Sequence, residues 1–382
     1  MRRSMSSDTT SKKRRGVISL LKAYKFRLYP TKFQQEYFVK TFGCVRFVYN
    51  KMLEERIRLY KESKLDPDVK QKLPTPAKYK PEFPFLKEVD SLSLANAQMD
   101  LNKAYQNFFR DKSVGFPKFK SKHNDRASYT TNNLKGSIRI EACQVKLPKI
   151  GFVKLKQHRP FTGVIKSATI SMTRTRKFFI SILVDQAEEQ WIPAKHKVGI
   201  DLGLEHFAIL TNDKHFSEKV ANPRFLRKSE DKIKKAQRGL SRKKIGSKNR
   251  EKARMILSKK HEKIANQRQD FLHKLSKRIV DDNQVIVVET LKSKNMMKNH
   301  KIAKSIGDVS WYEFVRQLAY KCKFYGRTLI KADQWYASTQ ICSSCGIKSE
   351  KKAMDVREWS CICGDLHDRD INASINLLML AY

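Results

Sequence analysis

Val198-Gly199-Ile200-Asp201-Leu202-Gly203 sets a carboxylate inside a short apolar run, with a glycine two residues to either side of it. The run reads as a strand, and Phe207-Ala208-Ile209-Leu210 follows closely enough to be the returning arm of a hairpin. Further on, Val285-Ile286-Val287-Val288 is continuously apolar, as expected of a strand covered on both faces. It ends in Glu289. Residues 223–282 read as helical. Trp311, Phe314, Leu318, Cys322 and Tyr325 recur near helical spacing, and Thr328-Leu329-Ile330 reads as another strand. From Lys197 onward the pattern is therefore α/β.

Three acidic residues in this region occupy places where acids are awkward. Asp201 lies within its apolar strand and Glu289 closes the run before it. Asp370 lies in His367-Asp368-Arg369-Asp370-Ile371-Asn372-Ala373, at the start of the last helical segment. A carboxylate in an apolar setting loses hydration and needs a cation, an arginine or a proton to stay there. Two Mg²⁺ ions (or Mn²⁺) held among such carboxylates would satisfy them and could activate a water at a phosphodiester. Each acid also has an ordinary reading. A lone Asp in a strand is commonly a turn residue or an ion-pair partner, Asp370 would suit the dipole of a first helical turn, and Asp368 is a plausible N-cap that competes with Asp370 for a metal role.

Between the second strand and the last helix lie Cys342-Ser343-Ser344-Cys345-Gly346 and Cys361-Ile362-Cys363-Gly364. Two thiol pairs on tight glycine turns are how a ribbon holds Zn²⁺ with four ligands, so Cys342, Cys345, Cys361 and Cys363 are expected to bind a structural zinc ion. The second pair is C-x-C rather than the commoner C-x-x-C. His367 reads as a surface residue or one supporting the ligands from outside. Cys44, Cys143 and Cys322 are scattered and read as core cysteines.

Charge names the class of partner. The 382 residues carry 80 Lys+Arg against 38 Asp+Glu, a formal net charge of +42. A polyanion relieves that repulsion, and nucleic acid is the usual one, because each neutralised phosphate releases a condensed counterion. Residues 223–263 alone hold seventeen Lys/Arg and four acids. Such a run is commonly just a solvated face; at this density phosphate contact is the better reading, giving affinity rather than sequence preference. No apolar run is long enough to span a bilayer, and Val17–Leu21 is too short for a signal-peptide core. Seven cysteines, mostly clustered, do not make a secreted disulfide scaffold. An intracellular, cytoplasmic protein without membrane partners is expected.

The N-terminal half has a different texture. Residues 1–16 read as a disordered basic tail. Ala23-Tyr24-Lys25-Phe26-Arg27-Leu28-Tyr29 alternates as a strand does, Pro30 ends it, and Thr31 with Gln34 forms a capping-box pattern opening a helix. Phe38, Val45, Val48 and Met52 continue that helix. Residues 63–90 read as a Pro- and Lys-rich loop, and Leu94, Ala97, Leu101, Tyr105 and Phe108 lie on one face of a second helix. Short β-like runs between 127 and 185, separated by Gly and Pro, suggest a small barrel. Aromatics interleaved with basic residues, as in Phe116-Pro117-Lys118-Phe119-Lys120, could stack on unpaired bases or simply belong to the core.

Taken together, these motifs resemble the TnpB family, transposon-encoded RNA-guided DNA nucleases related to type V CRISPR effectors. The resemblance rests on Tyr24-Lys25-Phe26-Arg27-Leu28-Tyr29-Pro30-Thr31, Arg46-Phe47-Val48-Tyr49-Asn50, Phe116-Pro117-Lys118-Phe119-Lys120, Gly199-Ile200-Asp201-Leu202-Gly203, Val288-Glu289, Tyr325-Gly326-Arg327, Ser338-Thr339-Gln340-Ile341-Cys342 and Asp368-Arg369-Asp370-Ile371-Asn372-Ala373, in that order. It implies a multidomain α+β and α/β fold: a wedge β-barrel split over residues 17–30 and 126–190, a helical recognition domain over 31–125, and an RNase H-like RuvC domain over 191–382 with a zinc ribbon inserted at 338–366. It implies catalysis by Asp201, Glu289 and Asp370, guide RNA from the transposon end, a double-stranded DNA target cut beside a short flanking motif, and a monomer in the RNA complex. An unguided transposase or resolvase acting on its own transposon ends would use the same carboxylates. An RNA-dependent DNA-binding repressor would not need them.

Overall fold

A computed structural model describes residues 19–66, 72–111, 113–122, 127–187, 191–353 and 356–382. The basic tail expected at 1–16 lies outside them. The chain divides into two compact units, residues 1–188 and 189–382. Among the described residues no helix is long and apolar enough to cross a membrane.

The first unit is a sheet covered by two helices. Its elements are β1 (Ser19–Tyr29), α1 (Lys32–Leu65), α2 (Ser91–Arg110), β2 (Ala127–Asn132), β3 (Arg139–Glu141), β4 (Gln144–Leu147), β5 (Gly151–Lys156), β6 (Val164–Met172) and β7 (Phe178–Ala187). The capping box is formed: Thr31 Oγ1 accepts from the Gln34 N–H, and Gln34 Oε1 accepts from the Thr31 N–H at 3.0 Å. Two donors that the first helical turn leaves without partners are thereby satisfied. Strand β7 buries Phe178, Ile180, Ile182 and Val184 in strict alternation, so one face of the sheet meets the helices. Phe38 of α1 packs on Phe178 at 5.7 Å between ring centroids, and Phe42 on Tyr129 at 5.8 Å.

Three expectations differ here. The strands form one sheet in the order β2-β6-β7-β1-β5-β4-β3, and no pairing joins β2 to β3 among the described residues, so the sheet is open rather than a closed barrel. Strand β3 has only three residues, which offers little edge to close upon. The stretch 63–90 is not a plain loop: α1 runs to Leu65, and Pro76–Tyr79 and Pro84–Lys87 are short 3₁₀ turns, each opened by a proline whose fixed φ suits a first helical position. They bury Tyr79 and Leu86, and the Tyr79 hydroxyl donates to Glu55 at 2.6 Å. Cys143 is exposed, not core. With Ala142 it forms the two-residue β3–β4 turn, both at positive φ, which throws its side chain outward.

The second unit is a five-stranded sheet between helices. It comprises β8 (His196–Leu202), β9 (His206–Asn212), β10 (Ser217–Ala221), α3 (Phe225–Lys228), α4 (Glu230–Ser241), α5 (Lys248–Asp282), β11 (Asn283–Val288), α6 (Ser293–Met296), α7 (His300–Val309), α8 (Trp311–Phe324), β12 (Thr328–Lys331), β13 (Glu358–Ser360), β14 (Leu366–Asp368) and α9 (Arg369–Met379). The strand order is β10-β9-β8-β11-β12, with β8, β11 and β12 mutually parallel and β9 antiparallel to both of its neighbours, β8 and β10. The basic stretch is helical, as expected, in three pieces, with α4 and α5 separated at 242–247, where Gly246 takes φ 83°.

Alternation along the strands decides what each face meets. Val198, Ile200, Leu202, Ile286 and Val288 pack with the residues of α5 and α8. Val287 packs with Leu377 of α9 instead. Gly199 lies under α9, where a Cβ would come within 2.2 Å of the Ser374 carbonyl oxygen and 2.5 Å of the Leu378 nitrogen. Period two then puts Asp201 on the α9 face with Gly199, and Glu289 on it with Val287.

Candidate active site and metal centre

β8 and β11 pair in parallel with Val288 beside Ile200, so the next residues, Glu289 and Asp201, are neighbours at the carboxyl ends of adjacent strands. The two strands are tied by the Leu202 N–H, which donates to Glu289 Oε1 at 2.7 Å. Crevices at the carboxyl ends of parallel strands are where open α/β sheets collect ligands. Helix α9 crosses the same face, and Asp370 sits in its first turn.

The three carboxylates act on one another electrically. Burial, and then the charge of Asp370, push Asp201 up to about 7, against the pull of Arg369. Burial, and then Asp201, raise Glu289 well above the usual carboxylate range. Asp201 is 8% exposed and its carboxylate accepts no hydrogen bond from any described residue. A buried carboxylate without a hydrogen-bond donor, with a second beside it on the adjoining strand and the charge of a third acting on both, attracts a divalent cation. The donor set, oxygen only, fits Mg²⁺ or Mn²⁺.

Asp370 is compensated within the protein. Arg357 Nη1 stands 3.2 Å from one of its oxygens and Arg369 Nε 3.5 Å from the other, while Arg357 Nη2 reaches Glu205 at 2.8 Å. Neither arginine was singled out from sequence. Arg369 lies between the two acids of the Asp368-Arg369-Asp370 motif, which could have marked it, whereas Arg357, thirteen positions before Asp370, is one basic residue among many. Asp368, the rival for the metal role, is occupied elsewhere. It caps α9, accepting from the N–H groups of Asp370 and Ile371 at 3.0 Å, and pairs with Lys219. Burial works to raise it, but Lys219 and those amides outweigh burial and hold it below its ordinary value.

The four-cysteine group is drawn tighter. Among the described residues, Cys342, Cys345, Cys361 and Cys363 are the side chains gathered closely enough to hold a metal ion, with all four sulfurs within 4.8 Å of one another. Cys342 and Cys363 are 3.7 Å apart and Cys345 and Cys361 3.6 Å. Sulfurs at the corners of a tetrahedron with Zn–S bonds of about 2.3 Å are separated by about 3.8 Å, so the spacing fits that ion. The C-x-C pair thus delivers both of its thiols to the set. Burial opposes ionisation of Cys342, but the N–H groups of Cys345 and Ser344, with His367, bring its thiol down to about 6. The thiolate is the metal-binding form. His367 is not at the surface: it is 8% exposed, packs its ring at a 41° tilt against Trp359, and places Nε2 3.0 Å from the Cys342 sulfur.

Glu205, which pairs with Arg357, helps line a cavity of about 630 Å³ together with Leu204, Arg224, Arg227, Lys301 and Lys304. Lys304 pairs with Glu230, whereas Arg224, Arg227 and Lys301 make no ion pair among the described residues.

Comparisons with known proteins converge on one family. The OrfB_IS605 profile, described as "Probable transposase", matches residues 180–300; a "Cas12f1-like, TNB domain" matches 311–377; and a "Helix-turn-helix domain" matches 20–64. The last stretch forms β1 and one uninterrupted helix here, so that match carries kinship rather than the motif of its label. The chain is 38% identical over 364 residues to the "Putative RNA-guided DNA endonuclease" of Streptomyces pristinaespiralis, covering 94% of this chain and 88% of that one. It is 32% identical over 378 residues to "Putative RNA-guided DNA endonuclease InsQ" of Escherichia coli (strain K12), covering 94% and 92%. In fold it is similar to the protein in a cryo-EM structure of the Cas12f1–sgRNA–target DNA complex, with a TM-score of 0.59 at 13% identity over 94% of this chain and 99% of that one.

Proposed function

Since the chain belongs to the TnpB (OrfB) family, we propose that it is an RNA-guided DNA endonuclease whose cutting centre is Asp201, Glu289 and Asp370. What supports this reading is that Asp201 and Glu289 are neighbours at the carboxyl ends of β8 and β11, that Asp201 is buried, and that the charge of Asp370 acts on both. Bound there, two divalent cations such as Mg²⁺ would supply an activated water and neutralise charge on the leaving 3′ oxygen. The chain's own groups do the rest. Glu289 is fixed by the Leu202 N–H, and Asp201 stands beside it on the adjoining strand. Asp370 arrives on α9 with Arg357 and Arg369 beside it, cations able to turn toward a phosphate.

The rest of the molecule is read in the same terms. Residues 17–30 and 126–190 form the wedge, 31–125 the recognition domain, and 191–382 the RuvC nuclease domain, with a structural Zn²⁺ in the ribbon at 338–366. Guide RNA from the transposon end pairs with the target, while the protein holds backbone and reads a short flanking motif. Arg224, Arg227 and Lys301, in the cavity that Glu205 helps line, offer phosphate contacts, and the basic α4–α5 hairpin offers more. The complex acts as a monomer.

Cleavage of a target plasmid in Mg²⁺, by protein expressed with its neighbouring transposon-end DNA, tests this. A matched guide should give cutting, and a scrambled guide or Asp201→Ala should not. Cutting that ignores the guide would replace the reading with an unguided transposase, and RNA-dependent target binding without cutting would replace it with a repressor.

A further inference from the structure

Two asparagines sit where a buried helix face would ordinarily carry apolar residues. Asn372 and Asn376, one turn apart on α9, are 1% and 3% exposed. Asparagine is a poor helix former, and its buried amide needs partners. Both find them in the same short loop. Asn372 Nδ2 donates to the Ile341 carbonyl at 2.7 Å, and its Oδ1 accepts from the Ser343 N–H at 2.8 Å. Asn376 Nδ2 donates to the Ser338 carbonyl at 2.8 Å and to that of Ile341 at 2.7 Å. Ile341 and Ser343 flank Cys342, so the backbone gripped by Asn372 is the turn that presents the first thiol. A second link runs beside the first: His367, whose ring meets the Cys342 sulfur, immediately precedes the residue that caps α9.

We infer that Asn372 and Asn376 are positioning residues that couple the four-cysteine centre to α9, so that metal loading at the cysteines fixes where Asp370 stands. This rests on the reading of Asp370 as part of the cutting centre. The carbonyls of Ser338 and Ile341 and the N–H of Ser343 point to one place only while the turn around Cys342 is closed. Gathering the thiolates closes that turn. The asparagines transmit its geometry to the first two turns of the helix, two and six positions from the carboxylate. Coupling of this kind is reciprocal: whatever the metal does for α9, the ordered helix does for metal affinity.

Backbone hydrogen exchange of the full chain in its RNA complex tests the coupling without reference to cutting. Stripping zinc from the wild-type protein with a chelator should speed exchange across residues 370–376 about tenfold or more. In the Asn372→Ala/Asn376→Ala variant the zinc-loaded protein should already exchange fast there, bind zinc severalfold more weakly, and show no further change on chelation. Its cleavage should need severalfold more Mg²⁺ for half-maximal rate, with RNA binding unchanged, a split that a general loss of fold would not give. Asn372→Ser, which can still donate and accept, should fall between. The inference is overturned if chelation leaves α9 of the wild type protected, or loosens it equally in wild type and variant. The wild-type arm decides even if the alanine variant does not fold. Should Asp370→Ala still cut while the exchange result holds, the reading of Asp370 fails and the coupling stands.

Discussion

A side-chain carbon on Gly199 would lie 2.2 Å from the carbonyl oxygen of Ser374. Only a residue with no side chain lets α9 lie this close over β8, and that approach is what brings Asp370 to the ends of the strands. Both obstructing groups belong to the helix backbone, which has no rotamer to change. Gly199→Ala should therefore lift α9 from the sheet. We expect a loss of about 1–3 kcal/mol of stability, as for overpacked cores, and a fall in cleavage far larger than that loss explains. Denaturant melts beside a cleavage time course check both, and an alanine variant that cuts normally would remove the close approach from the account.

The unpartnered carboxylate of Asp201 gives a pH signature. Its folded-state value of about 7 is raised from an ordinary 3.8. Between those two pH values the folded state holds a proton that the unfolded state has released. Stability in chelator should therefore be greatest below about 4 as far as this group is concerned, and should fall as pH rises toward 7. Glu289, raised by burial and by Asp201, adds to the same slope. Asp201→Asn should flatten it and raise the melting temperature at pH 8 while abolishing cutting. A variant with the wild-type slope would show that Asp201 is charged throughout.

Arg357 is half exposed and bridges Glu205 and Asp370. Exposed ion pairs contribute about 0–1 kcal/mol, so Arg357→Ala should leave the melting temperature almost unchanged. Cleavage should fall by about tenfold or more, because Asp370 then lacks one of the two cations that orient it. Arg357→Lys, which keeps the charge but not the fork that spans both acids, should recover only part. Equal losses in stability and activity would make the arginine a structural brace.

Arg242, Lys243 and Lys244 lie exposed at the turn between α4 and α5. Reversing all three to Glu should weaken nucleic-acid binding and lower the slope of log K against log salt by about three charges' worth, since each phosphate contact contributes about one unit or slightly less. Filter binding at several salt concentrations reads this directly. An unchanged slope would mean that the turn faces solvent in the complex.

Much of this architecture is legible before any coordinates. Thr31 and Gln34 announce a helix start because a capping box is local chemistry, and the apolar runs at 198–202 and 285–288 announce strands because period and length suffice. What could not be read depends on partners distant in sequence. Openness of the seven-stranded sheet is decided by pairings that never form, between elements far apart in the chain. The turn at Ala142-Cys143 needs positive φ from residues that seldom adopt it, so Cys143 passes for a core thiol. Arg357 and Asn372 look ordinary in sequence, one among many basic residues and the other a polar residue in a helix. Their neighbours Asp370, Ile341 and Ser343 become neighbours only when the cysteine turn and α9 are packed together.

The parallel pairing of β8 with β11 carries a further consequence, in time rather than space. Parallel neighbours cannot be joined by a tight turn, and here the whole of residues 203–282 must find its place before Asp201 and Glu289 stand side by side. Asp370 joins later still in sequence and only when α9 settles over Gly199. Any fragment that carries all three acids must span residues 201–370, and pairings of such long range are slow to form. A nascent chain that has not yet reached residue 370 can already hold its basic helices α3, α4 and α5 but lacks the third acid. The three acids are thus the last things the topology brings together: the order of the strands makes their meeting a product of the finished fold.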